Sequence, residues 1–267
     1  MGPLLIATDL DGTLLRNDGV LSERTRRALR QATDAGAEVV LVTARPPRFV
    51  DALNATHGLT GTAVCSNGAL EYDMGSRTVI TSRTLLADSA RRAADALSKA
   101  VPNIGFAVET GHKVMFAPGY GLRLPEDADA ECAVSSVDDL WAADVPIVKL
   151  LAWSGRLDAD TMLAAAERAA GAMAQITHSG GTGLLEISAS GVTKAGTLSR
   201  LCGDRGIDAA EVIAFGDMPN DLSILDWAGT SYAVANAHPS VLSAVPRHTA
   251  SNEEDGVAVV LEQLFGV

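Results

Sequence analysis

"LLIATDLDGTLL", residues 4–15, begins as a nearly unbroken apolar run and ends on two carboxylates, Asp9 and Asp11, one residue apart. A short continuous apolar run fits a strand buried on both faces of a parallel sheet. Along a strand, residues i and i+2 point to the same side. Two like charges held that close each resist ionising unless a cation or a shared proton offsets them. Metal binding, acid–base chemistry and a plain polar turn all answer that arrangement.

The same pattern continues outward. "RNDG" (16–19) is a turn signal, and "SERTRRALRQATDAG" (22–36) reads as a helix with Ser22 as N-cap and Gly36 at its stop. "AEVVLVTAR" (37–45) is a second buried strand, "FVDALNATHG" (49–58) a second helix and "TAVCSNGA" (62–69) a third strand. Such β-α-β-α-β alternation marks an open α/β sheet. The rhythm then changes. "LEYDMGSRTVITSRTL" (70–85) and "IGFAVETGHKVMFAP" (104–118) read as hairpins, with helices over 87–100 and 158–171 and strands over 145–153 and 184–188. "HSGGTG" (178–183) has glycines but precedes a strand, so it reads as a hairpin turn and not as a nucleotide loop. From residue 191 the alternation returns: helices over 193–206, 219–229, 239–245 and 256–265, strands over 211–217 and 231–237. The expected fold is α/β, with a Rossmann-like open parallel-sheet core over residues 1–83 and 189–267. An α+β domain over 84–188 is inserted in it.

Composition bounds the function. The 267 residues are 47% hydrophobic and 20% charged, as in an ordinary globular protein. A net charge of −12 argues against nucleic acid or an anionic membrane as the main partner. No apolar run approaches the ~20 residues of a membrane span, and the N-terminus lacks the basic start of a signal peptide. Cys65, Cys132 and Cys202 are odd in number and widely spaced, fitting free thiols in a reducing compartment. The expectation is a cytoplasmic protein, monomeric or a small homo-oligomer.

Polar clusters fall where core strands give way to loops: Asp9 and Asp11, Thr43 with Ala44 and Arg45, Lys194 at a helix start, and "GDMPND" (216–221). Ligands in open α/β sheets bind beyond the carboxyl ends of strands, so Asp9, Thr43 and Asp217 should meet at one rim. A cation opening a helix works against the dipole unless an anion sits there too, which singles out Lys194. Asp9, Asp11, Asp217 and Asp221 would gather negative charge around that lysine. A hard divalent cation such as Mg²⁺, bound through oxygens, compensates it, and no His or Cys accompanies the cluster, which disfavours zinc.

In this order the motifs resemble those of the haloacid dehalogenase superfamily: "DLDGT" (9–13), Thr43 in "LVTAR", Lys194 in "GVTKAG" and "GDMPND". The position and α+β pattern of the insert are similar to the large (C2-type) cap of the Cof-type, subfamily IIB, phosphatases. "TAR" stands where relatives often have "TGR", and "TKAG" where many have "KG". The resemblance implies an Mg²⁺-dependent phosphatase acting on a small phosphorylated metabolite, such as a sugar phosphate, through an aspartyl-phosphate. Carried over, Asp9 would be the nucleophile and Asp11 the proton carrier. Mg²⁺ would be held by Asp9, the Asp11 backbone carbonyl and Asp217. Leu10, Thr43, Ala44, Lys194 and Asn220 would hold the phosphoryl oxygens, and Asp221 would orient Lys194 or a metal-bound water.

Arg45 and Asn67, at core strand ends, are candidates for reading the leaving group, with simple loop roles as the alternative. Glu109, His112, Lys113 and His178 are specificity candidates by position alone. A phosphomutase or phosphotransferase of the phosphomannomutase type, or a non-catalytic phospho-ligand binder, are the rival functions.

Overall fold

The computed structural model describes residues 4–180 and 183–266. Strand β1 (Leu5–Thr8) is wholly buried, as its apolar run requires. Helix α1 (Glu23–Asp34) starts where the Ser22 side chain accepts the Thr25 N–H. Strand β2 (Glu38–Val42) follows, then α2 (Pro47–His57), which starts two residues before the expected Phe49 because Pro47 suits a first helical turn. Strand β3 (Thr62–Cys65) ends early. The strand expected over 62–69 breaks because Ser66, Asn67 and Gly68 take φ of 52°, 56° and 95°, three left-handed residues in a row. Only glycine fits the last of them: a Cβ on Gly68 would lie 2.2 Å from the Thr193 carbonyl oxygen. The chain thereby reverses into the hairpin β4 (Leu70–Asp73) and β5 (Thr78–Ser82).

Next come α3 (Ala87–Ala100), β6 (Gly105–Glu109), β7 (Val114–Phe116), β8 (Glu131–Ala133), α4 (Asp139–Ala142) and β9 (Lys149–Trp153). They are followed by α5 (Ala159–Ala170), β10 (Gln175–Thr177) and β11 (Leu184–Ser188). The chain closes with α6 (Lys194–Arg205), β12 (Val212–Gly216), α7 (Leu222–Trp227), β13 (Thr230–Val234), α8 (Pro239–Ala244), β14 (His248–Thr249) and α9 (Gly256–Phe265). The short β8, β10, α4 and β14 were not expected. The helix expected over 219–229 is a 3-10 turn, Pro219–Asp221, leading into α7.

Among the described residues these strands form two sheets. One runs in the order β14-β13-β12-β1-β2-β3-β4-β5. It is parallel from β14 to β3, and β4 pairs antiparallel to β3. The other, β10-β11-β9-β6-β7-β8, is antiparallel except between β7 and β8.

The chain divides into two compact units: residues up to Ala44, Val50–Ile80 and Thr193 onward in one, Arg45–Phe49 and Thr81–Val192 in the other. In the first, Leu5, Ala7, Val40, Val42, Val64, Val212 and Ala214 of the central strands pack with Leu198, Leu201 and Ile224 of α6 and α7. Burying a Leu or Val side chain contributes about 1.5–3 kcal/mol, so this cluster fixes the strands whose ends carry the polar motifs. In the second unit, Leu97 of α3 and Met162 of α5 pack against Phe106, Leu150, Leu185 and Ile187, all on one face of the antiparallel sheet. Its buried charges Lys149, Glu186 and Glu109 are paired: Lys149 Nζ lies 2.8 Å from Glu186 Oε1, and half-buried Arg48 bridges Glu109 at 2.8 Å and Asp127 at 2.6 Å. Of "HSGGTG", Gly181 and Thr182 lie outside the described residues, while β10 and β11 on either side of it pair antiparallel.

Candidate active site

Three neighbouring parallel strands, β12, β1 and β2, end on Asp217, Asp9 and Thr43. Each pairing continues one step past the strand: the Asp9 N–H donates to the Phe215 carbonyl at 3.1 Å and the Thr43 N–H to the Val64 carbonyl at 2.8 Å. Lys194 is the first residue of α6, whose N-cap is Thr193. The lysine is 1% exposed and donates from Nζ to Asp9 Oδ1 and to Asp221 Oδ1, both at 2.6 Å. Gly68 links this helix to β3, because the Thr197 hydroxyl donates to the Gly68 carbonyl at 2.6 Å.

Asp221 is fully buried, and all its bonding is internal to the site. While Oδ1 receives Lys194, Oδ2 accepts the backbone N–H groups of Asp217 and Met218, each at 3.0 Å. It therefore orients the lysine and the Asp217 loop together. The Asp217 carboxylate is aimed in turn by the Thr13 hydroxyl, which donates to Oδ1 at 2.8 Å. Gly12, at φ +77°, lets the chain pass under it: a Cβ there would stand 2.4 Å from Asp217 Oδ2.

Asp9, Asp217 and Asp221 bring carboxylate oxygens within 4.8 Å of one another, all buried. Burial pushes the Asp9 carboxyl well above its ordinary range; Lys194 opposes this, and the Asp221, Asp217 and Asp11 carboxylates add to it. Burial, then the Asp221 charge, likewise push Asp217 up to about 7, against the Thr13 hydrogen bond and Lys194. For Lys194, burial works to lower the ammonium, but Asp221 and Asp9 more than offset it and raise it. One lysine thus leaves the carboxylates under-compensated. An all-oxygen donor set with excess negative charge fits a hard divalent cation. Asp9 and Asp217 are the fitting ligands, since both oxygens of Asp221 are already engaged by Lys194 and two backbone N–H groups. The side-chain cluster contains Asp221 and not Asp11; the role expected of Asp11 toward a metal ran through its backbone carbonyl.

The remaining expected residues are placed as follows. Leu10 is buried, and its carbonyl accepts the N–H groups of Leu14 and Leu15 at 3.0 and 2.8 Å, closing the turn that carries half-buried Asp11. The Thr43 side chain is buried beside Ala44, and the Thr43 carbonyl accepts the Asn67 N–H at 3.0 Å. Asn220 donates from Nδ2 to Asn67 Oδ1 at 3.0 Å, while its own Oδ1 is buried with no partner. Asn67, a candidate either for reading the leaving group or for a loop role, thus braces Asn220. Arg45 belongs to the other unit and stacks over Phe49, 3.8 Å from the ring centroid. Also in that unit, Glu109 is committed to Arg48 and to the Gly111 N–H. His112 and Lys113 donate their backbone N–H groups to the Thr110 hydroxyl within a turn, and His178 pins its own turn by accepting the Gly180 N–H. Sequence reasoning missed Gly12, Thr13 and Gly68; the first two stand inside "DLDGT" and were legible as parts of that motif.

Residues 6–261 match the family model of the haloacid dehalogenase-like hydrolases. The chain belongs to this family. It is 32% identical to the 5-amino-6-(5-phospho-D-ribitylamino)uracil phosphatase YwtE of Bacillus subtilis (strain 168), over 97% of each chain. With the pyridoxal phosphate phosphatase YbhA of Escherichia coli (strain K12) it shares 26% identity over 95% of this chain and 96% of the other. The solved structure of a haloacid dehalogenase-like hydrolase from B. subtilis superposes with a TM-score of 0.83 at 26% identity, covering 98% of this chain and 99% of the other. The chain is accordingly an enzyme, a phosphatase of the haloacid dehalogenase type, with the Rossmann-like core and inserted cap of that fold. Family members generally use a divalent metal. No helix among the described residues is long and apolar enough to cross a membrane.

Proposed function

We propose that this haloacid dehalogenase-like enzyme is an Mg²⁺-dependent phosphatase that hydrolyses a small phosphomonoester through an aspartyl-phosphate on Asp9. The observation that carries the reading is the buried Asp9 carboxylate, held by Lys194 at 2.6 Å beside an under-compensated Asp217. Asp9 and Asp217, with the Asp11 backbone carbonyl, would hold Mg²⁺. Bound there, the cation would neutralise carboxylate and phosphate charge and keep Asp9 ionised at neutral pH.

The protein's own groups then do the following. One Asp9 oxygen attacks phosphorus as the bond from phosphorus to the ester oxygen breaks, and the Asp11 carboxyl gives its proton to the leaving alcohol. Asp11, now a carboxylate, takes a proton from water, whose oxygen attacks phosphorus and releases Asp9 and inorganic phosphate. Lys194, the Thr43 hydroxyl and the Leu10 and Ala44 N–H groups face the developing charge on the phosphoryl oxygens, with the second hydrogen of Asn220 Nδ2. Asp221 acts by holding Lys194 and the Asp217 loop.

The preferred substrate class is a phosphorylated polyol or sugar. Support comes from YwtE, whose named substrate carries its phosphate on a ribityl chain, at 32% identity over 97% of the chain. Residues 1–83 and 189–267 are taken as the catalytic core and 84–188 as the cap that selects substrate. The test is phosphate release from a panel of sugar, polyol and pyridoxal phosphates, in Mg²⁺ and in chelator, with wild type and Asp9→Asn. Release that needs Mg²⁺ and is lost in Asp9→Asn is expected. An isomerised sugar phosphate without free phosphate would replace this reading with the phosphomutase, and binding without turnover would replace it with the silent binder.

A further inference from the structure

The loop after Asp9 is held from the far end of the chain. Asn236 donates from Nδ2 to the Gly12 carbonyl at 2.8 Å and accepts, at Oδ1, the Asn252 N–H at 2.9 Å. Asn252, 2% exposed, donates from Nδ2 to the Leu15 carbonyl and to Asn17 Oδ1, both at 3.0 Å. These bonds close a ring from Gly12 through the two asparagines to Leu15. Asp11 sits at its mouth: it precedes Gly12 and forms a β-bridge with Leu15. The neighbours reinforce the ring. Asp255 is paired with Arg16 at 2.9 Å, and Glu253 Oε1 accepts the Asn17 N–H at 2.7 Å. Asn252 itself is fixed by the turn around it, in which the Ser251 hydroxyl donates to Glu254 Oε2 at 2.8 Å.

Both hydrogen bonds donated by the Asn252 side-chain amide end on residues 15–17. A buried amide spent in this way is costly to leave unpaired, on the order of 1–3 kcal/mol, so the ring resists rearrangement of the loop. We propose that Asn252 and Asn236 are positioning residues for Asp11: they set the distance and direction from which its carboxyl reaches the leaving oxygen. The proposal rests on the reading of Asp11 as proton carrier. Misplacing a reacting group by about 1 Å can cost on the order of 10²-fold, within the 10²–10⁴-fold that general acid–base catalysis contributes.

The leaving group separates positioning from bulk stability. An alkyl phosphate needs its alkoxide protonated as it departs, whereas p-nitrophenolate leaves unaided. The variants are Asn252→Asp, which keeps the volume and the backbone bond but removes both Nδ2 donations, and exposed Asn236→Ala, which stands in where the first fails to fold. For each, kcat/KM is measured on ribitol 5-phosphate and on p-nitrophenyl phosphate, with thermal unfolding alongside and Asp11→Asn as reference. The expected result is a loss of about 10- to 100-fold on the alkyl ester and less than about threefold on the aryl ester. Equal losses on both esters, or none, while Asp11→Asn does discriminate between them, would overturn the positioning role. If Asp11→Asn itself fails to discriminate, the proton-carrier reading falls and this proposal falls with it.

Discussion

The under-compensated carboxylates make the metal-free protein's stability depend on pH, and the sign and size follow from Asp217. Burial and the Asp221 charge hold its carboxyl at about 7 in the folded chain, against an ordinary value of 3.8. Well below the ordinary value of 3.8 the group is protonated in both states. As pH rises, the unfolded chain releases its proton first, so stability is lost progressively until pH passes about 7. Each pH unit in that window costs about 1.4 kcal/mol, giving on the order of 4 kcal/mol in all and about 3 kcal/mol between pH 5 and pH 8. Asp9, raised for the same reasons, acts in the same direction.

The assay is urea unfolding in chelator at pH 5 and pH 8, comparing wild type with Asp217→Asn. The variant cannot ionise at this position, so the wild-type loss of stability should exceed its loss by about 3 kcal/mol. Mg²⁺ should restore stability at pH 8 and have little effect at pH 5, because its ligands must be ionised to bind it. A wild type as stable at pH 8 as at pH 5, or a variant with the full wild-type slope, would refute the electrostatic account.

Two other substitutions probe the same site. Lys194→Met leaves Asp9 and Asp221 buried without their shared cation and should cost about 3–5 kcal/mol at neutral pH, partly recovered in acid; unfolding at pH 5 and pH 8 measures it. Gly12→Ala adds about 1–2 kcal/mol of left-handed strain and drives a Cβ against Asp217 Oδ2. It should therefore weaken Mg²⁺ activation by at least about tenfold, read as the Mg²⁺ concentration for half-maximal phosphate release, a factor set by roughly 1.4 kcal/mol.

The strands of the catalytic sheet were legible because burial on both faces leaves continuous apolar runs, as at Leu5–Thr8 and Val212–Gly216. Their polar ends were legible for the same reason, since Asp9, Thr43 and Asp217 interrupt those runs. Short edge strands such as Glu131–Ala133 and His248–Thr249 carry too few residues to show a period. The Ser66–Gly68 turn read as strand because its left-handed backbone is imposed by the close approach of Thr193, more than a hundred residues on. Asn67 bonding Asn220, and Asn252 bonding Leu15, are partnerships 153 and 237 residues apart, and no local pattern announces them. Chemistry concentrated in short motifs could be read; bracing contributed by distant polar residues needed the fold.

The most direct test of the central claim is to mix enzyme, Mg²⁺ and a turned-over phosphomonoester, quench in acid within the first turnover, and locate phosphorus by peptide mass spectrometry. The account predicts one phosphoryl group on the peptide carrying Asp9, absent in Asp9→Asn and in chelator. Phosphate release at the wild-type rate with no phosphoryl group on Asp9, or with the group on another residue, would contradict it.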